Sequence, residues 1–362
     1  MEPTEEQLFD AVVGLLPPLL TGLDVLAKAG RYLHPPDLGE LVGAVEPFRD
    51  PLKDQLKVFG AVAWPEHLRN FESSLREAAN NTLKGIEGFV DSPGHSNPVM
   101  AAYGAMRYQT RALEALYPIT AMLPPVSRFF LSARHQDDER LLERLTQPQQ
   151  VGFDTGVLHA ANGAMERGGF SVYVPEYAEP DTPMPLIVAM HGGSGHGRGF
   201  LSTWLREARS LGAILLSPTS VDRTWSLMGP DEDTPNLFRM LEFLSSRYTI
   251  DQEHMLLTGM SDGGTFSYVS GLQDESPFTH LAPVSASFHP MLLEMSSAKR
   301  LSGLPVFITH GVLDWMFPVD MAAMAAQSFE AVGAKVRYEA VADLSHTYPS
   351  EMNAEIMEWF LA

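Results

Sequence analysis

The residues Gly259-Met260-Ser261-Asp262-Gly263 lie between the apolar run 254–258 and a stretch of small residues that can begin a helix. This G-x-S-x-G pattern is typical of a nucleophile elbow, a strained turn that raises the serine hydroxyl above the edge of a sheet. Glycine is expected at 259 and 263 because side chains there would collide where strand and helix cross. With 29 glycines in 362 residues, the pattern arises by chance in roughly one shuffled chain in six, so its context decides.

Three other segments supply this context, in the chain order serine, acid, histidine that accompanies such an elbow. Upstream, the buried-strand run 186–190 leads into the glycine-rich loop 191–195, His-Gly-Gly-Ser-Gly. Downstream, a second apolar run is followed by Asp314, and His346 lies between a strand-like segment and a final helical segment. Together with the elbow, these segments make Ser261 the best candidate for the reacting side chain.

Each of these residues has a definite task in nucleophilic catalysis. Serine is a poor nucleophile at neutral pH, so His346 is expected to accept the proton of Ser261 during attack and to return it to the leaving alcohol. Asp314 would hold the imidazole in the useful tautomer and stabilise the imidazolium. Asp343 and Asp320 remain alternatives for this acid, whereas His346 is the only histidine in the C-terminal loop.

The tetrahedral intermediate of acyl transfer carries a negative oxygen that needs hydrogen-bond donors. The backbone N–H of Asp262 is one expected donor, and the N–H of Gly193 or of Ser194 is the other. Losing one such donor typically costs about 3 kcal/mol of transition-state stabilisation. We expect the side chain of Asp262 to be a solvated charge at a helix start, and His191 and His196 to shape the glycine-rich loop by hydrogen bonding.

Length and charge indicate a soluble protein of two domains. At 362 residues the chain exceeds the usual size of a single core, and we place the domains at 1–150 and 151–362. The first domain holds 14 Lys+Arg and 20 Asp+Glu, a net charge of −6, and the second holds 11 and 25, a net charge of −14. Long-range repulsion therefore disfavours nucleic acid and anionic lipid surfaces as partners.

The first domain has helical periodicity and little β character. Apolar residues recur at three- and four-residue spacing in the segments 48–62, 66–90, 98–123 and 137–145, which predicts an all-helical domain. A polar stretch at 146–150, with Pro148, suits a linker. Such helices can form a lid or a substrate-binding wall, or they can join copies into a homo-oligomer, and the sequence favours neither role.

The second domain alternates strands with helices, which predicts a mostly parallel sheet with helices on both faces. The predicted strands are 156–161 and 170–174, paired as a hairpin, then 186–190, 213–217, 255–258, 281–285, 306–309 and 336–341. The predicted helices are 200–210, 236–248, 264–271, 319–332 and 350–361. Reactive groups would then collect at the carboxyl ends of the strands, where ligands bind in open α/β sheets.

The motifs of the second domain resemble those of the α/β-hydrolase superfamily. The resemblance rests on the glycine-rich loop 191–195, the elbow 259–264, the segment 310–314 with Pro318 beyond it, and residues 344–346. Within the superfamily, the chain is similar to serine esterases of the phospholipase/carboxylesterase kind and to polyhydroxybutyrate-depolymerase-like and feruloyl-esterase-like enzymes. The resemblance covers about residues 155–362 and implies an α/β-hydrolase fold beside the N-terminal all-helical domain.

By this resemblance Ser261, Asp314 and His346 form a catalytic triad, and the amides of the glycine-rich loop and of Asp262 form the oxyanion hole. Asp262 departs from the family pattern, because many members carry a small or neutral residue or a glutamine there. The departure leaves the mechanism intact and the subfamily open.

The expected reaction is hydrolysis of carboxylic esters through an acyl-enzyme intermediate. Small or medium esters are the favoured substrates, and short polymeric esters or hydroxycinnamoyl esters are alternatives. Trp225 and Trp315 are the candidate substrate-binding residues, each with a core or rim position as the alternative. The same triad also supports peptide, thioester or lactone hydrolysis, and a non-catalytic scaffold of hydrolase fold is a further alternative.

No metal or cofactor is expected. The histidines are scattered without an H-E-x-x-H pattern, and His280, His289 and His310 lie in or beside apolar runs as expected of core or loop residues. The glycine-rich segment 192–199 lacks the lysine of a phosphate-binding loop. The proposed hydrolysis needs no cofactor.

The expected location is the cytoplasm. The chain has no cysteine, so nothing requires an oxidising compartment. Residues 1–6 are acidic, and the apolar stretch that follows is interrupted by Gly14, Pro17, Pro18 and Asp24. Neither a signal peptide nor a membrane-spanning helix is therefore expected, and export after removal of a leader stays open.

Overall fold

The computed structural model of the protein describes residues 4–147 and 153–362. Packing divides the chain into a helical unit, Met1–Phe130, and a second unit, Leu131–Ala362.

The division between the units falls earlier than the predicted domain boundary after residue 150. Leu131, Leu141 and Leu145 form a small buried cluster, and all three belong to the second unit. The helix predicted at 137–145 is therefore part of the second unit, not the end of the helical one. Of the predicted linker, residues 148–150 lie outside the described residues.

The described part of the helical unit, residues 4–130, contains six α-helices joined by short turns. They are α1 Glu5–Arg31, α2 Leu38–Val45, α3 Arg49–Ala61, α4 Arg69–Val90, α5 Pro98–Leu116 and α6 Pro124–Phe129. Helices α4 and α5 pack closely, and α1 lies against α3, α4 and α5. The fully buried side chains of α1 are Leu15, Leu19, Leu23 and Leu26. Their spacing of three and four residues forms one apolar stripe along α1.

Helix α1 runs without a break through Pro17 and Pro18, although the sequence analysis treated these residues as interruptions. That expectation was wrong because the buried stripe offsets the roughly 3 kcal/mol that an interior proline costs a helix. The start of α1 is also well defined. The Thr4 hydroxyl accepts from the Gln7 amide and the Gln7 side chain accepts from the Thr4 amide, a capping box.

Helix α1 is long and apolar enough to cross a bilayer, judged by length and composition, and among the described residues it is the one helix with this property. In the structure, 33% of its most apolar stretch of 18 residues is buried. Core helices of soluble proteins and N-terminal signal sequences pass the same test of length and composition, so the expectation that no helix spans a membrane stays a prediction.

Outside residues 148–152, the second unit contains one sheet of eight strands. The strands are β1 Gly156–Ala160, β2 Phe170–Val174, β3 Met184–Met190, β4 Ile214–Pro218, β5 Ile250–Met260, β6 His280–Val284, β7 Pro305–Gly311 and β8 Lys335–Val341. Their order is β1-β2-β4-β3-β5-β6-β7-β8. Strand β2 pairs antiparallel with β1 and with β4, and the other neighbours are parallel. The predicted hairpin and mostly parallel sheet are confirmed.

Eight helices accompany this sheet in the described part of the second unit. They are α7 Glu139–Leu145, α8 Gly197–Leu211, α9 Asp233–Ser245, α10 Asp262–Gly271, α11 Met291–Glu294, α12 Ala298–Leu301, α13 Val319–Ala331 and α14 Asn353–Phe360. Helix α8 packs on β2, β3 and β4, α10 packs on β5 and β6, and α13 packs on β7 and β8. This is the α/β-hydrolase arrangement that the sequence predicts.

Strands β5 and β8 carry polar residues. Strand β5 begins at Ile250, five residues before the predicted start, because its polar first half pairs with β3 across a bulge, with Met184 opposite Ile250. Strand β8 lies at one margin of the sheet and places Lys335, Arg337 and Glu339 at alternate positions.

The crossing of β5 and α10 depends on two glycines. A Cβ atom at Gly263 would lie 2.4 Å from the carbonyl oxygen of Met190 and 2.5 Å from that of His191. A Cβ atom at Gly259 would lie 2.5 Å from the carbonyl carbon of Gly263. Because all three obstructing atoms belong to the backbone, they cannot move aside as a side chain would. The expected need for glycine at both positions is confirmed.

The change Gly263→Ala tests this crossing. We expect it to destabilise the second unit by at least the roughly 1 to 3 kcal/mol of an overpacked core, since the added methyl group meets backbone oxygens. The matched control is Gly104→Ala in α5, where an added Cβ meets nothing within 4 Å and alanine favours the helix. The measurement is the melting temperature of the parent and of the two variants by calorimetry. Equal melting temperatures of the two variants would contradict the close crossing of β5 and α10.

A buried carboxyl group links α8 to the end of the chain. Glu207 is 9% exposed, and burial raises its pKa to about 7 against weaker opposing hydrogen bonds from its own backbone and from Asn353. Asn353 in turn donates to the carbonyl of Thr203 at 2.8 Å and accepts from the Tyr348 hydroxyl at 2.8 Å. These contacts fasten α14 and the segment at Tyr348 to α8.

The raised pKa of Glu207 predicts a pH-dependent stability. A carboxyl group whose folded pKa exceeds its unfolded value contributes stability below the unfolded pKa of 4.5, and this contribution disappears as pH rises through about 7. Glu207→Gln should therefore raise the melting temperature at pH 8, with a gain on the order of 2 to 3 kcal/mol, and change it little at pH 5. Exposed Glu242→Gln is the control, and the same response from both variants would refute the buried charge.

Candidate active site

Ser261 occupies the turn between β5 and α10. Its backbone has φ 56° and ψ −118°, a region that L-residues rarely adopt and that costs about 1–3 kcal/mol unless the surroundings enforce it. The N–H of Ser261 donates to the carbonyl of Val284 on the neighbouring strand β6 at 2.9 Å. The side chain is 8% exposed, so the hydroxyl lies at the carboxyl edge of the sheet with little contact with water.

The structure brings Ser261, His346 and Asp314 together. Nε2 of His346 lies 3.0 Å from the Ser261 hydroxyl oxygen, and Nδ1 lies 2.8 Å from Oδ2 of Asp314. The ring of Phe317 meets the imidazole edge-on at 5.4 Å. With Nδ1 donating to the carboxylate, Nε2 is the unprotonated ring nitrogen and accepts from the hydroxyl of Ser261.

Asp314 is held by donors on both carboxylate oxygens. Oδ1 accepts from the backbone N–H groups of Met316 at 2.9 Å and Phe317 at 2.8 Å. Oδ2 accepts from His346 and, at 3.3 Å, from Nε2 of His310. Burial by itself would raise the pKa of Asp314, but the hydrogen bonds from His310, His346 and Phe317 hold it well below its ordinary value. The group is therefore a carboxylate at neutral pH.

His310 is a site residue that the sequence analysis missed, because it was expected to be a core or loop residue. It is fully buried at the end of β7, and its Nε2 donor is shared between Asp314 and the carbonyl of Phe317 at 2.9 Å. Its Nδ1 atom has no partner among residues 4–147 and 153–362. The signal available in the sequence was a histidine at the carboxyl end of a strand, four residues before the acid.

The alternatives for the acid lie elsewhere. Asp343 and Asp320 are both exposed, whereas Asp314 is the carboxylate at Nδ1 of His346. The loops that carry Asp314 and His346 are in direct backbone contact. A Cβ atom at Gly311 would lie 2.2 Å from the carbonyl oxygen of Leu344.

The hydrogen bonds of the glycine-rich loop indicate which of its amides can donate to an oxyanion. The N–H of Ser194 donates to the carbonyl of Arg223 at 3.1 Å, so it is already occupied. In the described part of the chain, no acceptor is assigned to the amides of Gly193 and Asp262. The sequence allowed the amide of Gly193 or of Ser194 as the loop donor, and Gly193 is the one without an acceptor in the described residues. The loop also lies against the elbow, because a Cβ atom at Gly192 would lie 3.5 Å from Cβ of Ser261.

Buried side chains hold this loop in place. Nδ1 of His191 donates to the carbonyl of Gly192 at 2.7 Å, and Nε2 accepts from the amide of Ser220 at 3.2 Å. Burial lowers the pKa of His191 to about 3, which keeps Nε2 able to accept at neutral pH. His196 caps α8 through the amide of Arg198. The expectation that histidines shape the loop is confirmed for His191, whereas the hydrogen bonds of His196 to Arg198 and to the carbonyl of Glu166 lie outside residues 191–195.

Trp225 also supports the loop, which differs from its predicted role. Its indole N–H donates to the carbonyl of His191 at 2.7 Å, and its ring stacks on Phe266 at 5.1 Å. With 3% exposure, Trp225 is a core residue and not a substrate-binding wall. Its polar edge satisfies a backbone acceptor at the site, as buried tryptophans usually do.

The side chain of Asp262 differs from the expectation of a solvated charge. It is half-buried and accepts a hydrogen bond from the Thr224 hydroxyl. One of its oxygens lies 2.6 Å from where a Cβ atom would stand at Gly193. Asp262 therefore fixes the spacing between the elbow and the oxyanion loop, a role that no local sequence pattern indicated.

The loop that carries Asp314 is apolar on its outer side. Trp315 is 47% exposed, and its neighbours Val312, Leu313 and Met316 are also exposed. This loop follows β7 and thus lies at the carboxyl edge of the sheet, like Ser261. Trp315 remains a candidate for contact with substrate. Within the described residues, no three His, Asp or Glu side chains are grouped as metal ligands would be.

Comparisons with known proteins agree with this architecture. Residues 234–361 match a family model described as Phospholipase/Carboxylesterase. A bifunctional acetylxylan esterase/xylanase of Neocallimastix patriciarum is 29% identical over 147 residues, which are 40% of this chain and 21% of the relative. The chain thus spans about a fifth of the length of that curated relative.

The solved structures to which part of the chain is similar include a thermostable esterase, with 20% identity, a TM-score of 0.47 and coverage of 57% of this chain and 62% of that chain. An acylaminoacyl peptidase of Pyrococcus horikoshii has 18% identity, a TM-score of 0.44 and coverage of 58% and 42%. The match of residues 234–361 makes this part of the chain similar to phospholipases and carboxylesterases, and the sheet topology of the unit Leu131–Ala362 is that of an α/β-hydrolase fold.

Proposed function

We propose that the protein hydrolyses carboxylic esters, with Ser261 as nucleophile, His346 as general base and Asp314 as the group that orients the imidazole. The observation that carries the proposal is the continuous chain of hydrogen bonds from the serine hydroxyl through His346 to the carboxylate, with lengths of 3.0 and 2.8 Å. These lengths are those of a nucleophile and base ready for proton transfer.

The reaction proceeds in two halves. Ser261 Oγ attacks the ester carbonyl carbon while Nε2 of His346 takes the hydroxyl proton. The tetrahedral intermediate collapses, the bond to the alcohol oxygen breaks, and the imidazolium returns the proton to the leaving alcohol. Water then attacks the acyl-serine with His346 again as base, which releases the carboxylic acid and restores the serine.

Charge on the tetrahedral oxygen is stabilised by the amides of Gly193 and Asp262. These donors need no reorganisation during the reaction, because one begins α10 and the other lies in a loop fixed by His191 and Trp225. A fixed donor of this kind is worth more than one that must be oriented in each turnover. The carboxylate of Asp314 compensates the positive charge that develops on His346.

The favoured substrates are esters of small or medium acyl groups. The exposed apolar side chains beside Asp314, including Trp315 and Met316, suit an uncharged hydrocarbon portion of the substrate. The relative named as an acetylxylan esterase makes acetyl esters of carbohydrate alcohols the first natural class to test, with short polyesters and hydroxycinnamoyl esters next.

We also propose that the protein is located in the cytoplasm, since a chain without cysteine does not depend on an oxidising compartment.

Labelling with a fluorophosphonate probe tests the activated serine. The probe should label the protein in its folded state at Ser261, because only a serine with a proton acceptor reacts. Ser261→Ala should abolish labelling and ester turnover while the melting temperature stays near that of the parent. Ser328→Ala, which removes a hydroxyl bonded within α13, is the control and should retain both. Labelling at another residue, or none, would remove the proposal.

Substitution of the acid tests its assignment. Asp314→Asn should lower kcat by about four orders of magnitude, because the amide favours the wrong imidazole tautomer. Asp343→Asn removes the same charge three residues before His346 and should leave kcat within a few-fold of the parent. An equal loss in both variants, measured with one acetyl ester at saturating concentration, would reassign the acid.

Two roles remain for the helical unit, a cover for the site or a surface that joins copies of the chain. The exposed side chains Phe9 and Val13 lie one turn apart on α1 and suit self-association, which we propose as its function. Removing residues 1–130 should then lower the oligomer mass seen in light scattering and leave kcat/KM per folded unit intact. A monomeric parent whose kcat/KM falls on truncation would instead support the cover.

A further inference from the structure

Arg223 is clasped to the oxyanion loop at two points. Its carbonyl accepts from the amide of Ser194 at 3.1 Å, and its Nε donates to the Ser194 hydroxyl at 3.0 Å. Ser194 has φ 60°, a left-handed conformation that a residue with a side chain adopts at a cost. These two contacts therefore fix the direction of the guanidinium. They are made to Ser194, the residue that directly follows the donor amide of Gly193.

The clasp uses only one of the donor atoms of the guanidinium. Nη1 and Nη2 of Arg223 have no partner within residues 4–147 and 153–362, and the residue is exposed. A nearby arginine shows the contrast. Arg167 is half-buried and donates to the carbonyls of Gly195, Ser220 and Asp222, so its donors are consumed in holding two loops together. Arg223 is held in place but left with open donors.

The charge around Arg223 makes these open donors significant. The segment 151–362 carries 11 cationic and 25 acidic side chains, so a negatively charged substrate is repelled by the unit as a whole. An exposed arginine beside the oxyanion donors supplies a local attraction where the ester carbonyl must lie. A planar guanidinium with a free edge matches a carboxylate with two parallel hydrogen bonds, and prior fixation reduces the entropy lost on binding.

We infer that Arg223 binds a carboxylate carried by the substrate, so that the preferred esters are anionic half-esters. The inference rests on the proposed ester hydrolysis and specifies its substrate class. The apolar loop at Trp315 and the guanidinium of Arg223 then serve different parts of one substrate, the first its hydrocarbon and the second its charge. The anion belongs to either the acyl or the alcohol part, and the two sources require separate substrates.

Matched pairs of esters test the inference. On the acyl side, monoethyl succinate is compared with ethyl 4-methylpentanoate, in which an isopropyl group replaces the carboxylate. On the alcohol side, acetoxyacetate is compared with isobutyl acetate. In at least one pair the parent should favour the anionic ester in kcat/KM. Arg223→Gln should lower kcat/KM for that ester about 10- to 100-fold more than for its neutral partner, mainly through KM.

Two further variants separate recognition from loop support. Arg223→Lys keeps the charge and should recover part of the preference, which should also decrease as salt is added. Arg239→Gln removes an exposed arginine of α9 and should retain the preference of the parent. A loss shared equally by anionic and neutral esters would show that Arg223 only holds Ser194 in place, and would overturn the inference. So would a parent that prefers the neutral ester in both pairs.

A binding measurement keeps the inference separate from the proposed reaction. Monoethyl succinate and acetoxyacetate should bind to Ser261→Ala more tightly than to the double variant with Arg223→Gln, as measured by calorimetry. Neutral-ester turnover without an anionic preference overturns the inference and leaves the proposed function intact. Absent turnover of every ester, together with absent labelling at Ser261, overturns the proposed function, and the calorimetric comparison then decides whether Arg223 binds carboxylates.

Discussion

Contact between backbones, without an intervening side chain, is the constraint on which the site depends. Helix α10 can approach β3 and β5 only because Gly259 and Gly263 present no Cβ to the carbonyl groups behind them, such as that of Met190. This approach sets the height of Ser261 above the sheet and hence its distance from His346. Side-chain packing tolerates small adjustments, whereas backbone atoms in contact do not. The serine position is thus fixed by the fold itself.

Features that depend on residues close together in the sequence could be predicted, and features that depend on distant contacts could not. The elbow, the order of the reacting residues and the parallel strands follow from short patterns, and the structure contains each of them. The misses depend on distant packing. Pro17 and Pro18 remain helical because of contacts made by the opposite face of α1, and His310 reaches the acid only because β7 ends beside its loop. Trp225 was expected at the substrate, but its indole N–H is used by the backbone.

The oxyanion loop shows how a glycine-rich segment is made rigid. Glycine loses more conformational freedom than other residues on folding, so a loop of this composition is not ordered by its own side chains. Order comes instead from neighbours that grip its backbone: Trp225 at the carbonyl of His191, Arg223 at the amide of Ser194, and Arg167 at Gly195. The loop keeps the close backbone approach that glycine permits and gains the fixed direction that stabilisation of a developing anion requires.

Strand β8 at the margin of the sheet has a consequence for chains that meet one another. A strand added from another molecule would have to lie beside Lys335, Arg337 and Glu339, whose long hydrated side chains would lose water and crowd the new pairing. Arg337 and Glu339 also pair with each other on that strand. The charged side chains of β8 therefore disfavour the addition of another strand at this margin of the sheet.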